Sequence, residues 1–238
     1  MKTGTLYLVP APLGEGRLDN ILPADVRLLA NRIEHWIVEH PKTARAFLKL
    51  YGPDRQIASL QMQELNEHTK DMELANLLAP LRAGHDVGLM SEAGCPGVAD
   101  PGAKLARLAH AEGICVAPLV GPSSILLALM ASGASGQRFR FHGYLPVEAG
   151  PRQDKLRELE RDSSKLDEAQ LFIETPYRND AMLDAALQAC KPSTWLTIAR
   201  DLTTDDELVI SQPLAQWKSK PRPELKKRPA MFVLYAGK

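Results

Sequence analysis

Three short segments of this 238-residue chain gather the residue types that chemistry needs. The densest is Gly88-Leu-Met-Ser-Glu-Ala-Gly-Cys-Pro-Gly-Val-Ala-Asp-Pro-Gly102, an apolar run passing into a loop rich in glycine and proline. Such loops bring backbone amides close to a ligand, and ligands of α/β sheets bind outside the carboxyl ends of strands. The same stretch also serves as a plain strand-to-helix crossover capped by Asp100. A second segment, Val120-Gly-Pro-Ser-Ser-Ile125, ends a strand and opens a helix. Two hydroxyls and unpaired amides at that positive helix end suit a carboxylate, although a simple cap by Ser123 or Ser124 explains them as well. In the third, Phe172-Ile-Glu-Thr-Pro-Tyr-Arg-Asn179, an apolar strand delivers Glu174, Tyr177 and Arg178 into a turn. Polar and aromatic groups converging at a strand end mark a candidate site, and Arg178 paired with a local carboxylate is the plainer account.

Several common chemistries lack their signatures. No Gly-x-x-x-x-Gly-Lys-Ser/Thr, Gly-x-Gly-x-x-Gly, His-Glu-x-x-His or Gly-x-Ser-x-Gly occurs, which removes the usual basis for ATPase, dinucleotide dehydrogenase, metallopeptidase and α/β-hydrolase activities. Cys95, Cys115 and Cys190 are widely spaced and odd in number, so neither a disulfide framework nor a cysteine zinc site is expected. No metal is called for.

Composition narrows the class further. At 45% hydrophobic and 24% charged residues the chain reads as an ordinary globular protein of one large or two smaller domains. Lys+Arg and Asp+Glu are 29 each, so no global basic field draws it onto nucleic acid. The longest apolar run, Ile125–Ala131, is far short of the roughly 18 residues of a membrane span. Leu6–Val9 is brief and broken by Pro10 and Pro12, unlike a signal peptide. A cytoplasmic protein without membrane partners is expected.

The elements that must position the three segments follow from pattern. Leu6–Val9, His35–Val38, Val87–Met90 and Ile114–Pro118 are short apolar runs between stretches with helical spacing, as in an α/β layer. Its helices are expected at Thr43–Leu50, in one long stretch ending near Arg82, and from Asp100-Pro101 to Glu112. A helix at Ile125–Ala131 then opens the second half. There, strands are expected at Phe139–Tyr144, Gln170–Glu174, Trp195–Ala199, Leu208–Ile210 and Met231–Tyr235, with helices at Arg152–Arg161 and Asn179–Ala189. An excess of strands over helices implies a mixed sheet with antiparallel pairs. The domain boundary is placed near residue 120, giving 1–119 and 120–238.

Together the segments resemble the tetrapyrrole methylase superfamily of S-adenosylmethionine-dependent methyltransferases. Gly4-Thr-Leu-Tyr-Leu-Val-Pro-Ala-Pro-Leu-Gly14, Ser91–Gly102, Gly121–Ser124, Phe141-His-Gly-Tyr-Leu-Pro146, Glu174-Thr-Pro-Tyr-Arg178 and Arg200-Asp-Leu-Thr203 are similar, in the family's order, to the branch methylating a cytidine ribose in small-subunit ribosomal RNA. The resemblance implies two α/β domains with S-adenosyl-L-methionine in the cleft between them, and a homodimer. By matching segments it implies cofactor contacts at Pro10, Ser91, Glu92, Ala93, Gly94, Ser123, Ser124, Ile125, Thr175, Pro176, Pro229 and Ala230. That cofactor carries no phosphate, so amide-rich loops and hydroxyls suffice to hold it.

A ribose hydroxyl acceptor benefits from a base to take its proton. Glu174 is the first candidate and Asp201 the second, with Glu92 and Glu39 behind them; Glu174 serves equally well as an anchor for Arg178 or a backbone amide. Where the ribosomal enzymes carry Glu-Asp-Thr-Arg this chain has Glu39-His-Pro-Lys42, and it ends soon after Met231–Tyr235, which points to a shorter sister group. The resemblance implies RNA or the small ribosomal subunit as acceptor; the alternatives are a tetrapyrrole or other small molecule, or cofactor binding without turnover. Lys218–Arg228 holds six basic residues against Glu224, either a local phosphate-binding arm or a solvated loop.

Overall fold

The computed structural model describes residues 2–16, 18–52, 56–66 and 68–237. The chain divides into two compact units, one through Ser123 and one from Ser124 onward. In unit 1 the elements run β1 (Thr5–Leu8), α1 (Leu18–Ile21), α2 (Ala24–Ala30), β2 (His35–Val38), α3 (Pro41–Tyr51), β3 (Gln61–Glu64), α4 (Asp71–Leu77), α5 (Ala79–Arg82), β4 (Val87–Met90), α6 (Gly102–Ala111) and β5 (Cys115–Pro118). The five strands form one sheet in the order β3-β2-β4-β1-β5, parallel at every pairing.

Both faces of this sheet are covered. Val9, Leu22, Trp36, Leu48 and Met90 share one core cluster with α1 to α3, while Leu6, Leu77, Leu81, Leu89 and Leu105 share another with α4 to α6. Each Leu so buried contributes about 1.5–3 kcal/mol. Pro41 opens α3, where its missing N–H costs nothing, and Ala44, Leu48 and Tyr51 recur at helical spacing on its buried face. The long helix expected to end near Arg82 is in fact two, because Pro80 has no N–H to give an upstream carbonyl and the chain turns at Leu78. Strand β3, Gln-Met-Gln-Glu, has no apolar alternation; it forms because it is an edge pairing only with β2.

Unit 2 runs α7 (Ser124–Ser132), β6 (Phe139–Tyr144), α8 (Ala149–Leu166), β7 (Ala169–Glu174), α9 (Asn179–Ala189), β8 (Trp195–Arg200), β9 (Leu208–Pro213), α10 (Leu214–Ser219) and β10 (Ala230–Tyr235). Its sheet order is β6-β7-β10-β8-β9, with β6 and β7 parallel and the other pairs antiparallel, the mixed sheet that the strand excess implied. Phe172 and Phe232 stack across β7 and β10 with ring centroids 5.4 Å apart. Around them pack the apolar stripes of α8 and α9, including Leu156, Leu159, Met182 and Leu183, and Trp217, whose indole N–H donates to the Leu196 carbonyl. Among the described residues no helix is long and apolar enough to cross a membrane.

Candidate functional site

Strands β1 and β4 are neighbours, yet the connections that follow them leave for opposite faces of the sheet. The chain after β1 enters α1 and α2 on the face of Trp36, and the chain after β4 enters α6 on the face of Leu105. Diverging loops open a crevice at the carboxyl ends of the two strands, the place where ligands settle in open α/β sheets. A pair of backbone hydrogen bonds spans the two loops, Ala11 N–H to the Gly94 carbonyl at 2.9 Å and Gly94 N–H to the Ala11 carbonyl at 3.0 Å. Gly94 has φ +71°, a left-handed conformation in which a side chain is strained.

The same crevice gathers Pro10 and the turn before Ser123. Pro10 is buried, its carbonyl accepts the Tyr51 hydroxyl at 2.5 Å, and a Cβ on Gly121 would lie 2.3 Å from the Pro10 ring. Pro122 in turn offers its carbonyl to the Cys95 thiol at 3.4 Å. Burial pushes the Tyr51 phenol well above its ordinary range, so it stays a donor to Pro10. Asp100 accepts the N–H groups of Gly97 and Gly102 and so ties down the far side of the loop. Ser91 is half-buried while Glu92 and Ala93 are exposed, leaving their backbone accessible. The Glu92 N–H donates to Glu39 Oε2 at 3.2 Å, which ties the loop after β4 to the end of β2, while the Glu92 carboxylate accepts the Thr43 hydroxyl at 3.4 Å.

In unit 2, Ser124 and Ile125 form the first turn of α7. The remaining candidates meet at one end of the sheet, because Ala230 of β10 lies opposite both Glu174 of β7 and Arg200 of β8. Glu174 has no exposed side-chain surface, and its Oε1 accepts the Thr175 N–H at 2.6 Å together with Arg178 Nε at 2.9 Å and Nη2 at 2.7 Å. Its Oε2 is buried and has no partner among the described residues. Asp201, at φ +50°, receives Arg200 at 2.5 Å and Arg228 at 3.4 Å, while its own N–H donates to the Pro229 carbonyl. Arg228 continues to Asp206 at 2.8 Å. The Asn179 amide holds the carbonyls of Leu225 and Arg228, and the Lys227 N–H holds that of Pro176.

Sequence reasoning missed the pins of this end: Asn179, Arg200, and Arg228 acting through Asp206. Asn179 and Arg228 find their partners tens of residues away in sequence, which no local signal announces, whereas Arg200 holds the adjacent Asp201 and the Asp206 carbonyl within its own turn. The basic stretch Lys218–Arg228 also differs from a uniform arm. Arg222 is paired with Asp184, Arg228 with two aspartates, and Lys220 donates to Gln212 and Gln216, which leaves Lys218, Lys226 and Lys227 exposed.

The donor set in unit 1 is exposed loop backbone, the hydroxyls of Ser91 and Ser123 and a glycine where a side chain would be strained, without a lysine-bearing phosphate loop. That suits a ligand with adenine, amino and carboxylate groups and no phosphate. No group of three or more metal-ligating side chains occurs among the described residues. The family description Tetrapyrrole (Corrin/Porphyrin) Methylases matches residues 5–218. The chain belongs to the tetrapyrrole methylase family. It is an S-adenosylmethionine-dependent methyltransferase. Relatives called Ribosomal RNA small subunit methyltransferase I include that of Pseudomonas aeruginosa, 31% identical over 91% of this chain and 72% of its own. Those of Xylella fastidiosa (29%, 97% of this chain and 80% of its own) and Micromonospora olivasterospora (32%, 99% and 71%) are similar. Among solved structures, the methyltransferase CobJ superposes with a TM-score of 0.63 at 19% identity, covering 99% of this chain and 94% of its own. Uroporphyrin-III-C-methyltransferase from Thermus thermophilus gives 0.55 at 18%, covering 99% and 93%. At such identities these two share the fold.

Proposed function

We propose that this tetrapyrrole methylase family member methylates a ribose hydroxyl of small-subunit ribosomal RNA, acting in the cytoplasm as a homodimer. The observation that carries the acceptor class is the set of relatives named for ribosomal RNA methylation, at about 30% identity along nearly the whole chain. When bound, S-adenosylmethionine supplies an electrophilic methyl carbon on its sulfonium. Contacts to it are proposed at Pro10, Ser91, Glu92, Ala93, Gly94 and Ser123 in unit 1, and at Ser124, Ile125, Thr175, Pro176, Pro229 and Ala230 in unit 2. The Ala11–Gly94 backbone pair and the Gly121–Pro10 contact fix the first set before ligand arrives, which reduces the ordering cost of binding.

As the acceptor oxygen bonds to the methyl carbon, the carbon–sulfur bond breaks and the hydroxyl proton must leave. Glu174 is proposed to take it on Oε2, with Oε1 held by Arg178 and Thr175; Asp201 is the second candidate. The deciding experiment offers labelled S-adenosylmethionine with total RNA, assembled small ribosomal subunits or a uroporphyrinogen. Label in the RNA or subunit arm, lost in Glu174→Gln while affinity for the demethylated cofactor is kept, is the expected result. Label in the uroporphyrinogen arm alone overturns it.

A further inference from the structure

At the end of the unit 2 sheet away from Glu174 and Ala230 lies a cavity of about 660 Å³, within the range that small ligands fill. The strands between are six residues long, so roughly 17–20 Å separates it from the candidate cofactor residues of this unit. Nothing in the methyl-transfer chemistry uses it. Arg157, Arg161 and Lys165 recur at every fourth position along α8 and line one wall, and Lys191 lines the other. Like charges at that spacing repel. Arg157 is offset by Asp154, but neither Arg161, Lys165 nor Lys191 forms an ion pair among the described residues. Among the described residues the one lining carboxylate, Glu160, is engaged by the wall itself, since its Oε1 accepts the Lys191 N–H at 2.7 Å and the Thr194 hydroxyl at 2.5 Å.

Two aromatic rings share the cavity with the cations. Trp195 and Tyr235 are directly opposed residues of neighbouring antiparallel strands, so their side chains leave the same face of the sheet. Trp195 is 46% exposed, whereas Trp36 and Trp217, the other tryptophans of the chain, are each 1% exposed. The Tyr235 hydroxyl donates to Asp167 at 2.5 Å and the Ala236 N–H to Ser163, so the ring side of the cavity is held in place. Cations outside any ion pair among the described residues, beside an exposed indole and a half-buried, pinned phenol, match single-stranded nucleic acid, whose phosphates take the charges and whose bases stack.

Building on the RNA reading above, we infer that this cavity binds a single-stranded RNA segment, with Arg161, Lys165 and Lys191 on phosphates and a base against Trp195 and Tyr235. It would hold substrate RNA at a point separate from the reacting ribose. The test uses the full chain and an unstructured oligoadenylate of about twelve nucleotides, with duplex DNA of equal length for comparison. Binding is read by anisotropy across salt and by quenching of tryptophan emission, which reports Trp195 because the other two indoles are buried. Wild type should bind with quenching. R161A/K165A/K191A should flatten the log-affinity against log-salt slope by roughly 2, at about 0.7 per phosphate contact. Trp195→Ala should weaken binding roughly five- to a hundredfold and Trp195→Phe much less, because a ring remains to stack on. Unchanged calorimetric affinity for the demethylated cofactor shows that each variant is folded.

A wild-type slope in the triple variant, no quenching, equal affinity for duplex DNA, or no oligoadenylate binding at about 50 mM salt each overturns the inference. Methylation of small subunits is measured in parallel. Label transfer with no role for the cavity sinks this inference alone, and binding at the cavity without label in any RNA sinks the proposed acceptor alone.

Discussion

The ligand-facing ends of the two sheets are built from different forces. In unit 1 the crossing of the loops after β1 and β4 is held by neutral contacts: the paired backbone bonds of Ala11 and Gly94, the Tyr51 hydroxyl on Pro10, and the ring of Pro10 against Gly121. The carboxylates of Asp100 and Glu39 serve there as acceptors for backbone N–H groups. At the end of unit 2 that carries Glu174, charge does the holding, through Glu174 with Arg178 and through Asp201 and Asp206 with Arg200 and Arg228. Topology explains the contrast. Parallel strands emit their loops side by side, so backbone meets backbone; antiparallel strands bring the start of β10 beside the ends of β7 and β8, so Arg228 reaches Asp201 and Asp206 across the register and joins the local pairs Glu174–Arg178 and Arg200–Asp201. The difference teaches where each unit is vulnerable: steric change should disturb the first end, and charge removal or salt the second.

The largest effect should come from Glu174→Ala, which leaves the Arg178 guanidinium and the Thr175 N–H without their shared acceptor. Breaking a buried pair costs several kcal/mol; with Arg178 30% exposed, about 3 kcal/mol is expected in urea unfolding of unit 2. A loss under about 1 kcal/mol would mean that turn 175–178 is held by something else.

Gly121→Ala should follow, at about 1–3 kcal/mol, because the added methyl must displace a rigid proline ring rather than a flexible side-chain end. Affinity for the demethylated cofactor should fall with it, by tenfold or so, and the loss should be the same at low and high salt. Salt-dependent loss would contradict a neutral, steric hold on this loop.

Raising salt should separate the units without mutation. The Arg228–Asp206 pair is 33% and 65% exposed, so screening it should weaken the 201–207 turn slightly. Amide exchange at Thr203 and Asp206 should quicken while that at Ala11 and Gly94 stays constant. Equal responses would erase the distinction.

The smallest effects are opposite responses to acid. Burial holds the His142 imidazole below its ordinary 6.5, partly offset by its hydrogen bond with Gln170. As pH falls below 6.5 the unfolded chain takes up a proton that the folded one resists, so unit 2 loses stability. Burial holds the Asp100 carboxyl above its ordinary 3.8, against the opposing bonds from Gly102, Gly97 and Ser91. There the folded chain protonates first, so acidification relieves unit 1. Melting at pH 7.5 and at lower pH should show His142→Gln removing the first dependence and Asp100→Asn the second; an unchanged profile in either variant would refute that assignment.

Much of this molecule was legible as local pattern. His35–Val38, Val87–Met90, Phe139–Tyr144 and Asn179–Ala189 stand where apolar runs and helical spacing placed them, since burial on a sheet face or helix stripe leaves a periodic trace. Strand β3 and helix α10 left none, being an edge without a buried alternation and a single short turn around Trp217. The motifs that resemble the family also announced the segments of the candidate site, because each is a contiguous loop between recognisable elements. By itself, then, the sequence determined the alternation of elements, the mixed second sheet, the glycine-rich strand ends and the kind of cofactor they suit. Only the tertiary structure decided that Arg228 serves Asp201 and Asp206 instead of standing free in a basic arm, and that Arg161, Lys165 and Lys191 line one cavity with Trp195. Those outcomes rest on contacts between residues far apart in the chain, and a Coulomb or hydrogen-bond partner chosen by the folded register leaves no periodicity to read beforehand.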